Sequence, residues 1–182
     1  MGECGIGKVN AALATQILIE RFSPTVILHS GIAGGLSSEI QHTDLVAAQD
    51  LAYYDVRKEQ MEGVFPYCSR FKTNPELTQT IVKIAKENNQ TIWQGTIVSG
   101  DSFINDSIKK KEIQKTWDAL CVDMESAAIA HTAYINNIPF AVVRCISDLA
   151  NDSGEEDYNK FEQISAEKSA ALMIKVVAKV SE

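Results

Sequence analysis

Short apolar runs rich in β-branched residues alternate along the chain with segments of helical periodicity. The four runs that predict buried strands are Thr25–His29, Asp44–Ala48, Thr91–Ser99 and Pro139–Ser147. The four segments that predict helices are Lys8–Phe22, Asn74 to about Asn88, Met124–Asn136 and Phe161–Val180. This alternation predicts an α/β sandwich with helices on both faces of a mainly parallel or mixed sheet, in one domain over residues 1–182.

Two helices carry further signals. The first has Val9, Leu13 and Ile17 on one face, and Asn74-Pro75 gives the second an N-cap residue followed by proline at the first helical position. The chain opens on a few residues and then the Gly5–Gly7 turn, with no strand before it. A turn of this kind normally follows a strand, so we expect the N-terminal strands of the fold to be absent from this chain.

The composition and charge of the chain argue against some classes of function. The 182 residues are 45% hydrophobic and 23% charged, which is ordinary for a globular protein, and the net charge is −7. An acidic balance argues against nucleic acid and against an anionic membrane as partners, because both require basic patches. The dense acidic run Glu155–Asp157 is interpreted as a solvated loop.

Cysteine usage indicates a reduced compartment and no metal. The four cysteines lie far apart, form no C-x-x-C pair and do not cluster with the three histidines, so a zinc site is not expected. Cys121 and Cys145 stand in apolar runs and are predicted to be buried. The sequence shows no signal peptide and no apolar stretch long enough to span a bilayer, and we expect a reduced, cytoplasmic protein.

Two glycine-rich segments are possible phosphate or ligand loops. Gly2–Val9 is close to G-x-x-x-x-G-K-[ST], but Val9 replaces the magnesium-binding hydroxyl and no strand precedes it, so a packed turn is favoured and ATPase activity is rejected. Ser30–Leu36 follows a predicted strand at the position where α/β sheets bind ligands. The glycines there fit a close backbone approach to a ligand about as well as a simple turn.

Three further positions could carry chemistry. Phe103, after the strand that ends at Ser99, could stack on a flat base or lie in the core. Asp123 and Glu125 stand where an apolar strand meets a helix, which suits either capping or a ligand site. Asp148 closes the most apolar strand, where desolvation would raise its pKa toward that of a general acid; a role in a turn is the alternative.

Taken in order, these segments resemble the methylthioadenosine/S-adenosylhomocysteine nucleosidases of the nucleoside phosphorylase superfamily. The matching segments span nearly the whole chain and are Gly5–Val9, Gly31–Leu36, Ser99–Ile104, Asp123–His131 and Arg144–Asp148. Each motif alone is weak, but the ordered set is specific. The resemblance implies a nucleoside phosphorylase-like α/β fold, a three-layer α/β/α sandwich with a central mixed sheet, that works as a cytoplasmic homodimer. It also implies a role in methionine salvage and nucleoside catabolism without metal or cofactor. The implied reaction is hydrolysis of the bond between adenine and a 5′-thio-substituted ribose.

The resemblance also implies roles for particular residues. Asp148 would protonate the departing adenine and Ser147 would help to position it, while Phe103 stacks on the base and the Ile104 backbone reads its edge. Glu125 would accept from a sugar hydroxyl. The other residues implied to bind substrate are Ile6, Ala33, Gly34, Met124 and Arg144. A carboxylate beneath the sugar would also stabilise an oxocarbenium-like transition state.

The sequence departs from the family pattern at three places. The glutamate that activates water in the family lies in the first strand–loop unit, upstream of this chain's first residue, and no later carboxylate is expected to replace it. Ile32 stands where the family usually has serine, and Val56–Met61 differs in a region that lines the partner subunit's pocket. We therefore expect weak binding and slow turnover by this chain, with an open 5′-substituent preference.

Two rival functions remain open. A purine nucleoside phosphorylase would share the fold, but the hexameric ones carry an arginine just before the glycine-rich loop, where this chain has Leu28-His29-Ser30. The second rival is a purine-binding protein or decayed remnant that keeps the pocket without the chemistry.

Overall fold

A computed structural model describes residues 2–181, so Met1 and Glu182, the ends of the predicted domain, lie outside the described residues. The helices are α1 (Lys8–Phe22), α2 (Lys58–Gly63), α3 (Pro75–Glu87), α4 (Ser107–Trp117), α5 (Ser126–Ile135) and α6 (Gly154–Val180). The strands are β1 (Ile27–Gly35), β2 (Leu45–Tyr53), β3 (Phe71–Lys72), β4 (Ile92–Ser99), β5 (Ala119–Asp123) and β6 (Phe140–Asp148).

Local chemistry explains where the predicted elements begin and end. The bounds predicted for α1 are confirmed, and α3 begins as predicted, with the Asn74 side chain accepting from Leu77 N–H at 3.0 Å. The prediction of a loop at Ser30–Leu36 is wrong, because β1 continues through Gly35 while pairing with β6. The predicted start of the last helix is also wrong: α6 includes the acidic run, whose carboxylates lie in its first turn.

The sheet is mixed and closes on itself. Its order is β3-β2-β4-β5-β1-β6, and β6 pairs in addition with β2. The β1–β6, β2–β4 and β4–β5 pairs are parallel, whereas β1–β5, β2–β3 and β2–β6 are antiparallel. Five of the strands therefore form a ring, with β3 on its outside.

Helices cover both sides of this sheet. Helices α1 and α5 pack on one side, and α3 and α6 on the other, each over its own apolar cluster. A third cluster joins α4 to β5 and includes Ile113 and Trp117. The predicted three-layer α/β/α architecture is confirmed, and ring closure is a feature that the sequence pattern did not predict.

Two surfaces lie open in the described part of the chain. On its second side, β1 pairs with β5 only at Gly34 and Gly35, so its edge over residues 27–33 is unpaired. The apolar face of α1 points outward, with Val9 69%, Leu13 57% and Ile17 51% exposed. Among residues 2–181, no helix has the length and apolar character needed to cross a bilayer.

Candidate functional site

The predicted site residues meet in one cavity of about 870 Å³ at the carboxyl ends of β1, β5 and β6. All ten of them line it: Ile6, Ala33, Gly34, Phe103, Ile104, Met124, Glu125, Arg144, Ser147 and Asp148. They come from segments up to 142 positions apart (148 − 6), so the fold assembles them from separate strand ends. The location agrees with the rule that α/β folds bind ligands where strands end.

Asp148 is a buried carboxylate at the end of β6, only 1% exposed. Burial raises the pKa of Asp148, while the Ala150 N–H at 2.9 Å and the Ser147 hydroxyl at 3.0 Å oppose the rise by stabilising the charge. The sequence argument predicted this direction. A carboxyl with a raised pKa is suited to holding a proton near neutrality and donating it to a bound base.

A second carboxylate system lies around Arg144. The Arg144 guanidinium donates from Nε to Asp123 Oδ2 at 2.6 Å and from Nη2 to Glu125 Oε2 at 3.2 Å. Burial raises the pKa of Glu125 overall, against the lowering effect of Arg144. Burial would also raise the pKa of Asp123, but Arg144 and hydroxyl hydrogen bonds hold it below its ordinary value.

Asp123 and Glu125 differ in what they contact. Asp123 Oδ1 accepts from the backbone N–H groups of Glu125 and Ser126, both at 3.2 Å, and from the Ser99 hydroxyl. It therefore organises the start of α5, the capping role that was one of the two sequence interpretations. Glu125 is half-buried and lines the cavity, with Oε1 accepting from Gly7 N–H at 2.9 Å.

Two glycines of β1 make room for these charged groups. A Cβ at Gly31 would lie 1.8 Å from Arg144 Nη1, so a side chain there would displace the guanidinium. A Cβ at Gly34 would lie 2.8 Å from Asp148 Oδ1. The glycines predicted for close backbone approach to a ligand thus make close approaches to the protein's own side chains.

The turn before α1 is tied to the same site. Gly7 has φ +90, in the region that favours glycine, and its N–H reaches Glu125. Lys8 N–H donates to Asp101 Oδ1 at 3.0 Å, and Lys8 Nζ lies 2.7 Å from Asp55 Oδ2. The first turn of α1 therefore begins on carboxylates from other elements, which its dipole favours.

The aromatic wall of the cavity comes from two elements. Phe103 is 42% exposed and not a core residue, and Ile104 beside it is buried. Tyr158 of α6 meets the Phe103 ring edge-on, with 5.7 Å between centroids. An exposed aromatic face beside a buried carboxyl suits a flat heteroaromatic ring.

Sequence reasoning missed several residues of the cavity wall, among them His29, Tyr158, Glu155 and Glu162. Glu155 and Glu162 reach the wall from α6, which begins earlier than the sequence predicted. Burial, and then Arg144, lowers the pKa of His29 to about 3, so its ring is neutral at pH 7. Glu155, Tyr158 and Glu162 follow the helical spacing i, i+3 and i+7, and this spacing was the signal that the sequence offered for them.

Among the described residues, the cavity offers little that could bind a metal ion or an anion such as phosphate. Within residues 2–181, no group of three His, Cys, Asp or Glu side chains is arranged to hold a metal ion. Among the described residues that line the cavity, Arg144 is the only arginine or lysine, and it is already paired with two carboxylates.

Comparison with known proteins gives consistent matches. The sequence model of the phosphorylase superfamily matches residues 1–178. A 5′-methylthioadenosine/S-adenosylhomocysteine nucleosidase of Staphylococcus aureus (strain JH9) is 35% identical over 183 residues, covering 98% of this chain and 80% of the relative. The nucleosidase of the same name from Neisseria meningitidis, solved in complex with methylthio-immucillin-A, has a TM-score of 0.90 at 33% identity and covers 96% of this chain and 78% of its own. Futalosine hydrolase of Helicobacter pylori strain 26695 also gives a TM-score of 0.90, at 29% identity, covering 97% and 77%.

Proposed function

Since this chain belongs to the phosphorylase superfamily and, within it, to the methylthioadenosine/S-adenosylhomocysteine nucleosidases, we propose that it hydrolyses the N-glycosidic bond of these two nucleosides. The products are adenine and the corresponding thioribose. The observation that carries the proposal is the pair of carboxyl groups, Asp148 and Glu125, that line one cavity together with the exposed ring of Phe103.

Asp148 acts on the base. Adenine stacks on Phe103, with the Ile104 backbone at its edge and Ser147 beside the carboxyl. As the bond from the anomeric carbon to the base nitrogen breaks, its electron pair passes to adenine, and Asp148 donates a proton to the imidazole part of the base. Water forms the new bond to the anomeric carbon, and the proton that it loses passes to solvent, from which Asp148 is reprotonated. The raised pKa of Asp148 supports this role, because the group must hold its proton near neutral pH.

Glu125 acts on the sugar. It accepts from a ribose hydroxyl, and its charge stabilises the oxocarbenium-like transition state. Its hydrogen bonds from Gly7 N–H and Arg144 hold both carboxylate oxygens in place before substrate arrives. Met124, Ile6, Ala33 and Gly34 supply the surrounding wall.

Water is favoured over phosphate as the acceptor. A phosphorylase stabilises phosphate with cationic groups, and Arg144, the sole Lys or Arg among the described cavity residues, is already neutralised by Asp123 and Glu125. The β1 positions Leu28-His29-Ser30 add no cation, because the His29 ring is neutral at pH 7.

A homodimer in the cytoplasm belongs to the same proposal. Support for the dimer comes from the outward apolar face of α1 and from the exposed side chains Val64, Phe65 and Tyr67 after α2. A patch of this kind marks interaction surfaces. The cysteines at positions 4, 68, 121 and 145 are all free, which suits a reducing compartment.

Product analysis tests the reaction. Methylthioadenosine is incubated with the purified chain, with and without inorganic phosphate, and adenine, free methylthioribose and its 1-phosphate are quantified, with adenine binding followed by calorimetry. Adenine and free methylthioribose at equal rates in both buffers are expected. Phosphate-dependent formation of the 1-phosphate would indicate a phosphorylase, and adenine binding without turnover would indicate a binding protein. Futalosine, tested beside the two thio-nucleosides, reports the 5′-substituent preference.

A further inference from the structure

The connection between β6 and α6, residues 149–153, contacts the Asp148 carboxyl. Ala150 N–H donates to Asp148 Oδ1 at 2.9 Å. Ala150 is fully buried and has φ +49, a left-handed conformation that a residue with a Cβ rarely adopts. A turn with this conformation persists only where surrounding contacts fix it.

Helix α4 supplies two of those contacts. The half-buried Lys110 donates from Nζ to the Leu149 carbonyl at 2.7 Å. One turn earlier, the Ser107 hydroxyl donates to Asp152 Oδ2 at 2.6 Å. The same helix begins at Ser107, shortly after Phe103 and Ile104 in the chain, so α4 links the proposed base-binding wall to the turn that contacts Asp148.

We propose that Lys110 is a positioning residue for Asp148: its ammonium group fixes the Leu149–Ala150 turn and so aims the carboxyl at the bound base. Lys110 is not among the residues that line the cavity. That the carboxyl faces a base rests on the proposed function, whereas the contacts that connect Lys110 to Asp148 through the turn do not.

Lys110 also contributes a charge. Burial lowers the pKa of Lys110, opposed by the Asp148 charge. The other ionisable groups facing Asp148 are Asp157, which raises its pKa, and His42, which lowers it; Glu155 and Tyr158 face the same cavity. Removing a nearby cation leaves Asp148 with less stabilisation of its charged form, so its titration is expected to move to higher pH.

Lys110→Met tests the proposal, and Lys111→Met is the matched control. Lys111 is exposed on the same helix, so its replacement changes the net charge equally without touching the turn. Two readouts need no catalysis: the pH titration of the Asp148 carboxyl carbon by NMR, assigned by its loss in Asp148→Asn, and hydrogen exchange of the Ala150 amide. Adenine release from methylthioadenosine is the third.

Lys110→Met is expected to raise the titration midpoint of Asp148, to speed Ala150 exchange at least tenfold, and to cut kcat about tenfold through misplacement of the acid. Lys110→Arg, which keeps a cationic donor on a long side chain, is expected to restore all three. If Lys110→Met matches Lys111→Met in both NMR readouts, the proposal is overturned. If the NMR changes appear but the parent releases no adenine, the positioning role stands and the proposed function fails.

Discussion

At the scale of single residues, the surroundings of each carboxyl group determine its chemical role. Asp148 is buried, and the Ala150 N–H and the Ser147 hydroxyl donate hydrogen bonds to its carboxyl. In Asp148→Asn the side chain has the same shape but no acidic proton. We expect turnover of methylthioadenosine to fall about 10²–10⁴-fold, the usual contribution of general acid catalysis, with an unchanged circular dichroism spectrum. Hydrolysis near the parent rate would remove Asp148 from this role.

The raised pKa of Asp148 also predicts two pH dependences. As a general acid it must be protonated, so kcat/KM is expected to fall as pH rises through the raised folded-state pKa. Unfolded aspartate titrates near about pH 3.9, so between the two values the folded chain binds more protons and stability decreases with rising pH. Denaturant titrations of the parent and Asp148→Asn across this range measure the second effect. The parent is expected to lose stability relative to the variant, and parallel curves would contradict the raised pKa.

Substitutions at Asp123 and Glu125 are expected to have different effects, the first on stability and the second on nucleoside binding. Asp123 is fully hydrogen-bonded and paired with buried Arg144, so Asp123→Asn leaves a weakened buried ion network and is expected to cost about 3 kcal/mol of unfolding free energy. Glu125 faces the cavity, so Glu125→Gln is expected to weaken nucleoside binding and turnover while leaving adenine binding intact. Thermal melts and calorimetry with both ligands measure this. A normal melting temperature for Asp123→Asn together with full activity of Glu125→Gln would reverse these roles.

The sequence located these residues better than it described their contacts. Strand-end motifs and the family resemblance together supplied the ten predicted site residues, and all ten line the cavity. The dependence of Gly31 on Arg144, which is 113 positions away (144 − 31), has no local signal. The same holds for the Gly7 N–H bond to Glu125, since both are products of tertiary packing.

At the scale of elements, predictions were accurate where local chemistry sets the boundary. Asn74 and Pro75 fix the start of α3 by capping and by a preset φ. Elements stabilised by distant partners were missed: α4, whose periodicity is obscured by its lysines, and β3, a two-residue strand paired with β2. The strand β1 was predicted too short, because glycines disfavour a strand locally and pairing with β6 and β5 extends it.

Helix α1 predicts the oligomeric state. Its outward stripe of Val9, Leu13 and Ile17 would remain exposed to water in a monomer. Leu13→Glu is expected to shift a dimer to monomer in sedimentation velocity at micromolar concentration, because it buries a charge in the interface. Ile174→Glu, at an exposed apolar position of α6, is the control and is expected to leave the mass unchanged. A monomeric parent, or a dimer insensitive to Leu13→Glu, would rule out this face as the interface.

At the scale of the whole molecule, the same strand order closes the sheet into a ring and leaves one edge of β1 largely unpaired. The ring pairs β6 with both β1 and β2, which removes the sheet edge that β6 would otherwise present. On the other side of β1, only Gly34 and Gly35 reach β5, and residues 27–33 line the cavity between α1 and α6. In the described chain, the cavity therefore extends from the carboxyl pair along unpaired backbone.

This arrangement predicts an alternating pattern of hydrogen exchange. In a strand, successive N–H groups point to opposite edges, so β1 amides directed toward β6 are hydrogen-bonded and those directed away meet the cavity. We expect the two sets to differ at least about 10²-fold in exchange rate, alternating with period two from Leu28 to Ala33, whereas β6 amides opposite β2 remain protected on both edges. Measurement by NMR at low micromolar and at high concentration distinguishes the explanations. Alternation at both concentrations supports an open edge in each copy. Uniform protection that appears only at high concentration would indicate that a second copy covers the edge, and uniform protection at both would contradict the open edge itself.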